Sequence, residues 1–180
     1  MKKQRGFTMI ELVVVIAILA LVIVTASDLF LSMIKTQKKI LAEQEVLNQV
    51  SYAIEYMARA IRMARADEFN TCVGQGESYG VYSNGIKFIN HSSEDICQVF
   101  LWDSVDKVLK ESRDGGQTYI PITSRDVIIN SFTIKTYGEE MRDGLQARIV
   151  LVLDFQYRDS NISPARKIIQ TTISQRNMGS

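Results

Sequence analysis

The sequence predicts an α+β protein: a long N-terminal α-helix, apolar in its first half and amphipathic in its second, followed by an antiparallel β-sheet. Three observations lead there. No glycine or proline occurs from Phe7 to Val73, and the first proline is Pro121. Within that stretch the side-chain pattern changes after Ser27 from unbroken apolar to periodic. Beyond Asp67 come glycine-punctuated short runs, alternating and rich in β-branched residues.

Composition sets the outer bounds. A length of 180 residues suggests one ordinary domain. With 46% hydrophobic and 23% charged residues the chain is neither disordered, collagenous nor a multi-pass membrane protein. Lys and Arg total 21 against 20 Asp and Glu, with no basic tract, so no electrostatic footprint for nucleic acid is present. One histidine and two cysteines cannot build a zinc finger or an iron–sulfur site.

The first half of the helix is the most informative segment. From Leu12 to Ser27 there is no charge, and from Phe7 onward the only interruption is Glu11. As a helix this block is about 31 Å long, matching a hydrocarbon core of about 30 Å. Lys2, Lys3 and Arg5 precede it without an acid among them, which places the N-terminus in the cytoplasm. A cleaved signal peptide is one alternative, with Ala20 and Ala26 as small residues, but its apolar region would be shorter. A plain single-pass anchor is another; it accounts for length and orientation but not for Glu11. A carboxylate about 6 Å into the apolar block is unfavourable by up to about 3 kcal/mol, less near the interface. Snorkelling, protonation or a cation from another chain would relieve that cost.

The stretch Lys2-Lys3-Gln4-Arg5-Gly6-Phe7-Thr8-Met9-Ile10-Glu11-Leu12 resembles the leader of a type IV prepilin. That family has a short basic leader ending in Gly, then Phe, Thr, one or two apolar residues, Glu, Leu and an apolar helix. The resemblance covers residues 1–27 closely and the remainder in architecture. It implies cleavage by a prepilin peptidase between Gly6 and Phe7 on the cytoplasmic side, leaving the apolar helix on the mature chain. It also implies N-methylation of Phe7, and pairing of Glu11 with the α-amino group of Phe7 on a neighbouring subunit. Glycine suits the cleavage position because it lets the backbone approach a protease closely. A carboxylate in an apolar bundle is favoured once a cation lies beside it, and such a pair can set register.

Downstream, Ile40, Leu47, Ile54 and Ile61 recur every seven residues, and Val50, Met57 and Ala64 follow the last three of these by three. Lys38, Lys39, Glu43, Glu45, Glu55, Arg59, Arg62 and Arg65 occupy other faces. The pattern predicts one helix from about Phe7 to about Ala66, about 90 Å long. Its amphipathic half would pack on the sheet, in preference to a coiled coil, which needs a longer stripe. Cys72 to Gly80 reads as loop. Val81-Tyr82 and Ile86 to Ile89 flank Ser83-Asn84-Gly85, a hairpin signal in which Asn-Gly suits a type I′ turn. Ile96 to Trp102 and Lys107 to Glu111 form a second pair around Asp103-Ser104. The turn Arg113-Asp114-Gly115-Gly116 precedes Tyr119-Ile120. Val127 to Tyr137, Ala147 to Tyr157 and Lys167 to Gln175 complete a meander of six or seven strands. The divisions that follow are a leader (1–6), a transmembrane and assembly segment (7–27), an amphipathic helix (28–66) and a sheet domain (67–180).

Cys72 and Cys97 lie beyond the membrane in this topology, where disulfides persist. They most simply form one bridge, contributing roughly 3–3.5 kcal/mol for a loop of this length; two buried free thiols are the alternative. Catalytic constellations are wanting. His91 has no marked serine and acid partners. Glu139-Glu140 reads as a solvated pair. Asp103 with Asp106, and Asp159 with Asn161, lack a twelve-residue calcium loop. No phosphate-binding glycine loop follows a strand. The expectation is therefore a non-enzymatic protein without cofactor or metal.

The run Gln170-Thr171-Thr172-Ile173-Ser174-Gln175-Arg176-Asn177 and the segment Ala58-Arg59-Ala60-Ile61-Arg62-Met63-Ala64 are similar to minor pilins and to J-type or W-type pseudopilins. The resemblance implies a pilin-like fold and a structural subunit of a type IV pilus or a type II secretion pseudopilus. Its partners would be other pilin or pseudopilin subunits, a prepilin peptidase, an assembly ATPase and an inner-membrane platform protein. It would sit first in the cytoplasmic (inner) membrane, then in a periplasmic or cell-surface filament. The rival reading is a membrane-anchored extracytoplasmic binding or sensor domain that never polymerises.

Overall fold

The computed structural model describes residues 6–138, 146–159, 161–163 and 165–176. The basic residues Lys2, Lys3 and Arg5, the pair Glu139-Glu140 and Asn177 lie outside the described residues. The architecture is α+β: among the described residues helix α1 (Met9–Arg62) is followed by nine short-to-medium strands, all paired antiparallel. Contacts divide the chain into a unit ending at Leu41 and a unit beginning at Ala42.

The first unit is helix from Met9 onward, and none of residues 9–41 is buried. The hydroxyls of Thr25, Ser27 and Thr36 are spent on the helix's own backbone. Thr25 donates to the carbonyls of Leu21 and Val22 at 3.1 and 3.0 Å, and Ser27 to that of Ile23 at 2.8 Å. An apolar surround therefore meets no unsatisfied donor at these positions.

In the second unit α1 buries Val46, Val50, Ala53, Met57, Ala60 and Ile61, and the row continues to Ala64. Along the helix Val46, Val50, Ala53, Met57 and Ile61 follow one another at spacings of three or four, as the 3.6-residue period of a straight helix requires. The seven-residue stripe expected from sequence drifts by about 20° per heptad against that period. Leu47 and Ile54 accordingly sit at the margin, packed but only half buried, and Ile40 is 49% exposed. Met57 and Ile61 meet Phe88, Phe100 and Phe155 in a single core. Phe100 lies 5.9 Å from the rings of both Phe88 and Tyr56, the latter edge-on.

The helix stops at Arg62, short of the expected Ala66, without a glycine or proline to stop it. Its final carbonyls are taken by distant groups. The Tyr79 hydroxyl donates to Ile61 O at 3.0 Å, the Arg176 N–H to Arg62 O at 2.9 Å, and the His91 N–H to Met63 O at 3.0 Å. Gln175 Nε2 donates to Ala64 O at 2.8 Å. These donors do the work of a glycine cap. They release Ala64–Arg65 to become a strand, β1, on Ile89 and Asn90.

The single meander expected from sequence is instead two sheets. One contains β1 (Ala64–Arg65), β2 (Gly80–Tyr82), β3 (Gly85–Asn90), β4 (Ile96–Asp103), β5 (Val108–Ser112) and β6 (Ile120–Pro121). Its order is β1-β3-β4-β5-β6, with β2 also on β3. The other is β7-β8-β9, from β7 (Val127–Tyr137), β8 (Arg148–Tyr157) and β9 (Lys167–Ser174). The Ile129 N–H bonds Lys107 O at 2.8 Å and the Trp102 indole bonds Ile129 O at 3.1 Å, stitching the two together. A register shift between Ile129 and Ser131 moves the buried side of β7 from Val127 and Ile129 to Phe132.

The first hairpin forms, but its turn is displaced from the one expected. Tyr82 pairs with Gly85, so Ser83-Asn84 are the turn residues, and neither has the positive φ of a type I′ turn. Gly85 is needed for another reason: a Cβ there would stand 2.4 Å from Phe100 O on β4.

Candidate functional site

The motif residues form a continuous N-terminal edge to the apolar helix. Gly6, Phe7 and Thr8 precede the first helical turn, and a Cβ at Gly6 would meet nothing within 4 Å. Phe7 is 77% exposed. Thr8 caps the helix: its hydroxyl accepts from the Glu11 N–H at 3.4 Å, and its carbonyl from the Leu12 N–H at 3.2 Å. Thr8-Met9-Ile10-Glu11 is thus the sequence signature of a capping box, a signal the reading of Glu11 as a misplaced charge overlooked. Its carboxylate also lies in the first turn, where the helix dipole favours an anion. Among the described residues it has no ion-pair partner. The geometry leaves an exposed anion, an exposed residue 7 and an uncovered apolar helix on one segment, long and apolar enough to cross a membrane.

Cys72 and Cys97 form a disulfide, with Cα atoms 5.5 Å apart. It ties the loop after α1 to β4, as the simplest reading of two exported cysteines expected. Sequence reasoning missed the residue that shapes this loop. Asp67 is fully buried and accepts from the N–H groups of Thr71 (2.9 Å), Cys72 (2.6 Å) and Val73 (2.9 Å) and from the Thr71 hydroxyl. Burial alone would raise its pKa, but these donors outweigh it and hold the carboxyl at about 2. The spacing of an acid four to six residues before a Thr-Cys-Val turn was the available signal.

The other polar side chains singled out in the sequence are engaged in local structure. Lys110 Nζ lies 2.6 Å from both Asp103 and Asp106, so an ammonium occupies the space between the two acids weighed as calcium ligands. That ammonium, with the N–H groups of Asp106 and Val105, lowers Asp103 to about 2. Asp159 accepts from the Asn161 N–H at 2.9 Å, an Asx turn. His91 Nδ1 is 3.0 Å from Asp95, which also holds Arg65 at 2.9 Å. A further network, unseen from sequence, joins helix to sheet: Tyr56 donates to Glu111 at 2.7 Å, and Gln98 and Arg113 donate to the same oxygen at 2.6 and 2.9 Å. These are structural networks in which each acid is balanced by donors from its own turn or from a neighbouring element.

Residues 1–27 match the family described as the prokaryotic N-terminal methylation motif. No curated protein and no solved structure matches the chain.

Proposed function

We propose, from a methylation motif that supports the type IV pilin and pseudopilin family, that this chain is a minor pilin or pseudopilin, a structural subunit of a pilus or type II secretion pseudopilus. Prepilin peptidase cuts between Gly6 and Phe7, and Phe7 is then N-methylated. The chain waits in the cytoplasmic membrane with its N-terminus inside and its sheet domain outside. An assembly ATPase and an inner-membrane platform protein move it into the filament among other pilin subunits. There Glu11 pairs with the α-amino group of Phe7 on a neighbour, an ion pair whose value grows as lipid and protein exclude water. The cleaved leader is 1–6, the membrane and assembly segment 7–27, the amphipathic segment 28–66 and the sheet domain 67–180.

The observation that carries this reading is the motif's placement on a helix of which no described residue up to Leu41 is buried within its own chain. That surface needs lipid before assembly and other helices after it. The test is the intact mass and N-terminal sequence of the protein from its host's membranes. A chain beginning at Phe7 with one added methyl is expected. A chain still beginning at Met1, in cells with an active prepilin peptidase, would make it a plain membrane anchor.

Because Glu11 also belongs to a helix cap, its two roles separate by substitution. Glu11→Gln retains the capping-box side chain and loses the charge. Under the ion-pair reading Glu11→Gln and Glu11→Ala impair filament incorporation alike, with membrane insertion intact. Normal incorporation of Glu11→Gln would reduce Glu11 to a cap.

A further inference from the structure

A groove of about 820 Å³ opens beside β5 and β6, lined in part by Val105, Lys110, Tyr119, Ser124, Arg125 and Arg158. Its size is that of a site for a small organic ligand. Lys110 adds no free positive charge: its single ammonium faces two carboxylates, Asp103 and Asp106, a formal surplus of one negative charge, and Asp106 also lines the groove. The two arginines differ. Among the described residues neither Arg125 nor Arg158 has a carboxylate partner. They are also held together. The Arg158 N–H donates to Asp126 O at 2.8 Å, and the Arg158 side chain donates through Nε to Arg125 O. This clip fixes Arg158 against the loop that carries Arg125 and leaves both of its Nη groups to donate elsewhere. Ser124 Oγ accepts from the Asp126 N–H at 3.1 Å, which leaves its own proton to donate. Tyr119 and Val105 are 41% and 87% exposed, giving apolar surface beside the cations.

We infer that this groove binds a sugar-sized organic anion, whose carboxylate or phosphate is taken by the Arg125 and Arg158 guanidiniums and whose ring lies against Tyr119. Guanidinium forks match both oxyanions, and a hydrogen bond to a charged group is among the stronger polar contacts available. An aromatic ring with hydroxyl donors nearby suits a polyhydroxylated ring. The inference stands apart from filament assembly, because every residue it uses lies beyond the helix.

The test is an NMR titration of the full chain in detergent micelles with three ligands sharing one ring: glucuronate, glucose 6-phosphate and glucose. Saturable shifts at Tyr119, Ser124 and the two arginine side chains are expected for both anions, at a Kd at least about tenfold below that of glucose. In the double variant R125Q/R158Q the preference should vanish while core methyl resonances hold their positions. The better of the two anions identifies the oxyanion. The assignment is overturned if no saturable shift occurs, if glucose binds as tightly as the anions, or if the double variant binds unchanged. Tighter binding of a single-stranded DNA oligonucleotide than of either anionic sugar, lost in the same variant, would also overturn it, replacing a small ligand by a polyphosphate.

Discussion

Helix α1 is one element under two different regimes. Up to Leu41 its structure is locally determined: a threonine cap, i to i−4 hydrogen bonds and hydroxyls folded back onto their own backbone. From Ala42 the same helix is determined by what packs on it: a 3.6-period row, a Tyr56 link to Glu111 and Arg113, and carbonyls closed by distant donors. The difference teaches where each half gets its stability. The first half, unburied within its own chain, derives it from local hydrogen bonds and from whatever surrounds it, and tolerates changes of apolar side chain. The second half derives it from the sheets, and is sensitive to the loss of single atoms.

The sharpest way to break that contrast is one truncation in each half. Phe100→Ala, at the centre of the core, should cost about 4 kcal/mol in denaturant unfolding of the sheet domain. Leu19→Ala, 55% exposed, should leave the same unfolding curve in place. Equal effects would mean the two halves are not independent.

Next in size is Asp67. Asp67→Ala removes a buried carboxylate and the acceptor of three partly buried N–H groups, and should cost about 3 kcal/mol. Its acid dependence has a fixed sign. The folded carboxyl titrates at about 2 against an ordinary 3.8, so its contribution is complete above pH 3.8 and fades as pH falls through about 2. Asp103 behaves alike. Asp67→Asn should therefore lose less stability than the parent between neutral pH and pH 2. Thermal melts across that range check it.

The smallest effects refine the comparison at the two ends of the helix. Tyr79→Phe removes the donor to Ile61 O and should cost about 1 kcal/mol, read as faster amide exchange in the last turn. Thr8→Ala removes the N-terminal cap at a similar cost, confined to amide exchange over the first turn with the sheet domain unaffected.

What was legible in the sequence follows the same division. The N-terminal motif could be read because its residues are contiguous, and residues 1–27 match the methylation-motif family. The strands β7, β8 and β9 could be read to within a residue or so, because alternation and β-branching survive without knowledge of the partner. Alternation, however, says which side of a strand is buried and not which strand lies beside it, so two sheets read as one. The helix end was missed because its caps, Tyr79, His91, Gln175 and Arg176, are remote in sequence. The Tyr56–Glu111 link was missed for the same reason: the two residues are 55 positions apart and meet only once β5 is in register. Asp67 is the opposite case, since its donors lie only four to six positions on and its signal was local.

The closure of the helix end also sets a clock. Gln175, which caps Ala64, lies 111 positions further along the chain. During synthesis the helix emerges first, and the carbonyls at its end stay open to water until residues 175 and 176 arrive. Folding of the sheet domain is thus a late event that requires almost the whole chain, and its long-range closures make it slow. A chain stalled or clipped before Gln175 would retain the motif and the apolar helix but carry an unfinished domain, a state a protease can tell from the complete one by the frayed helix alone.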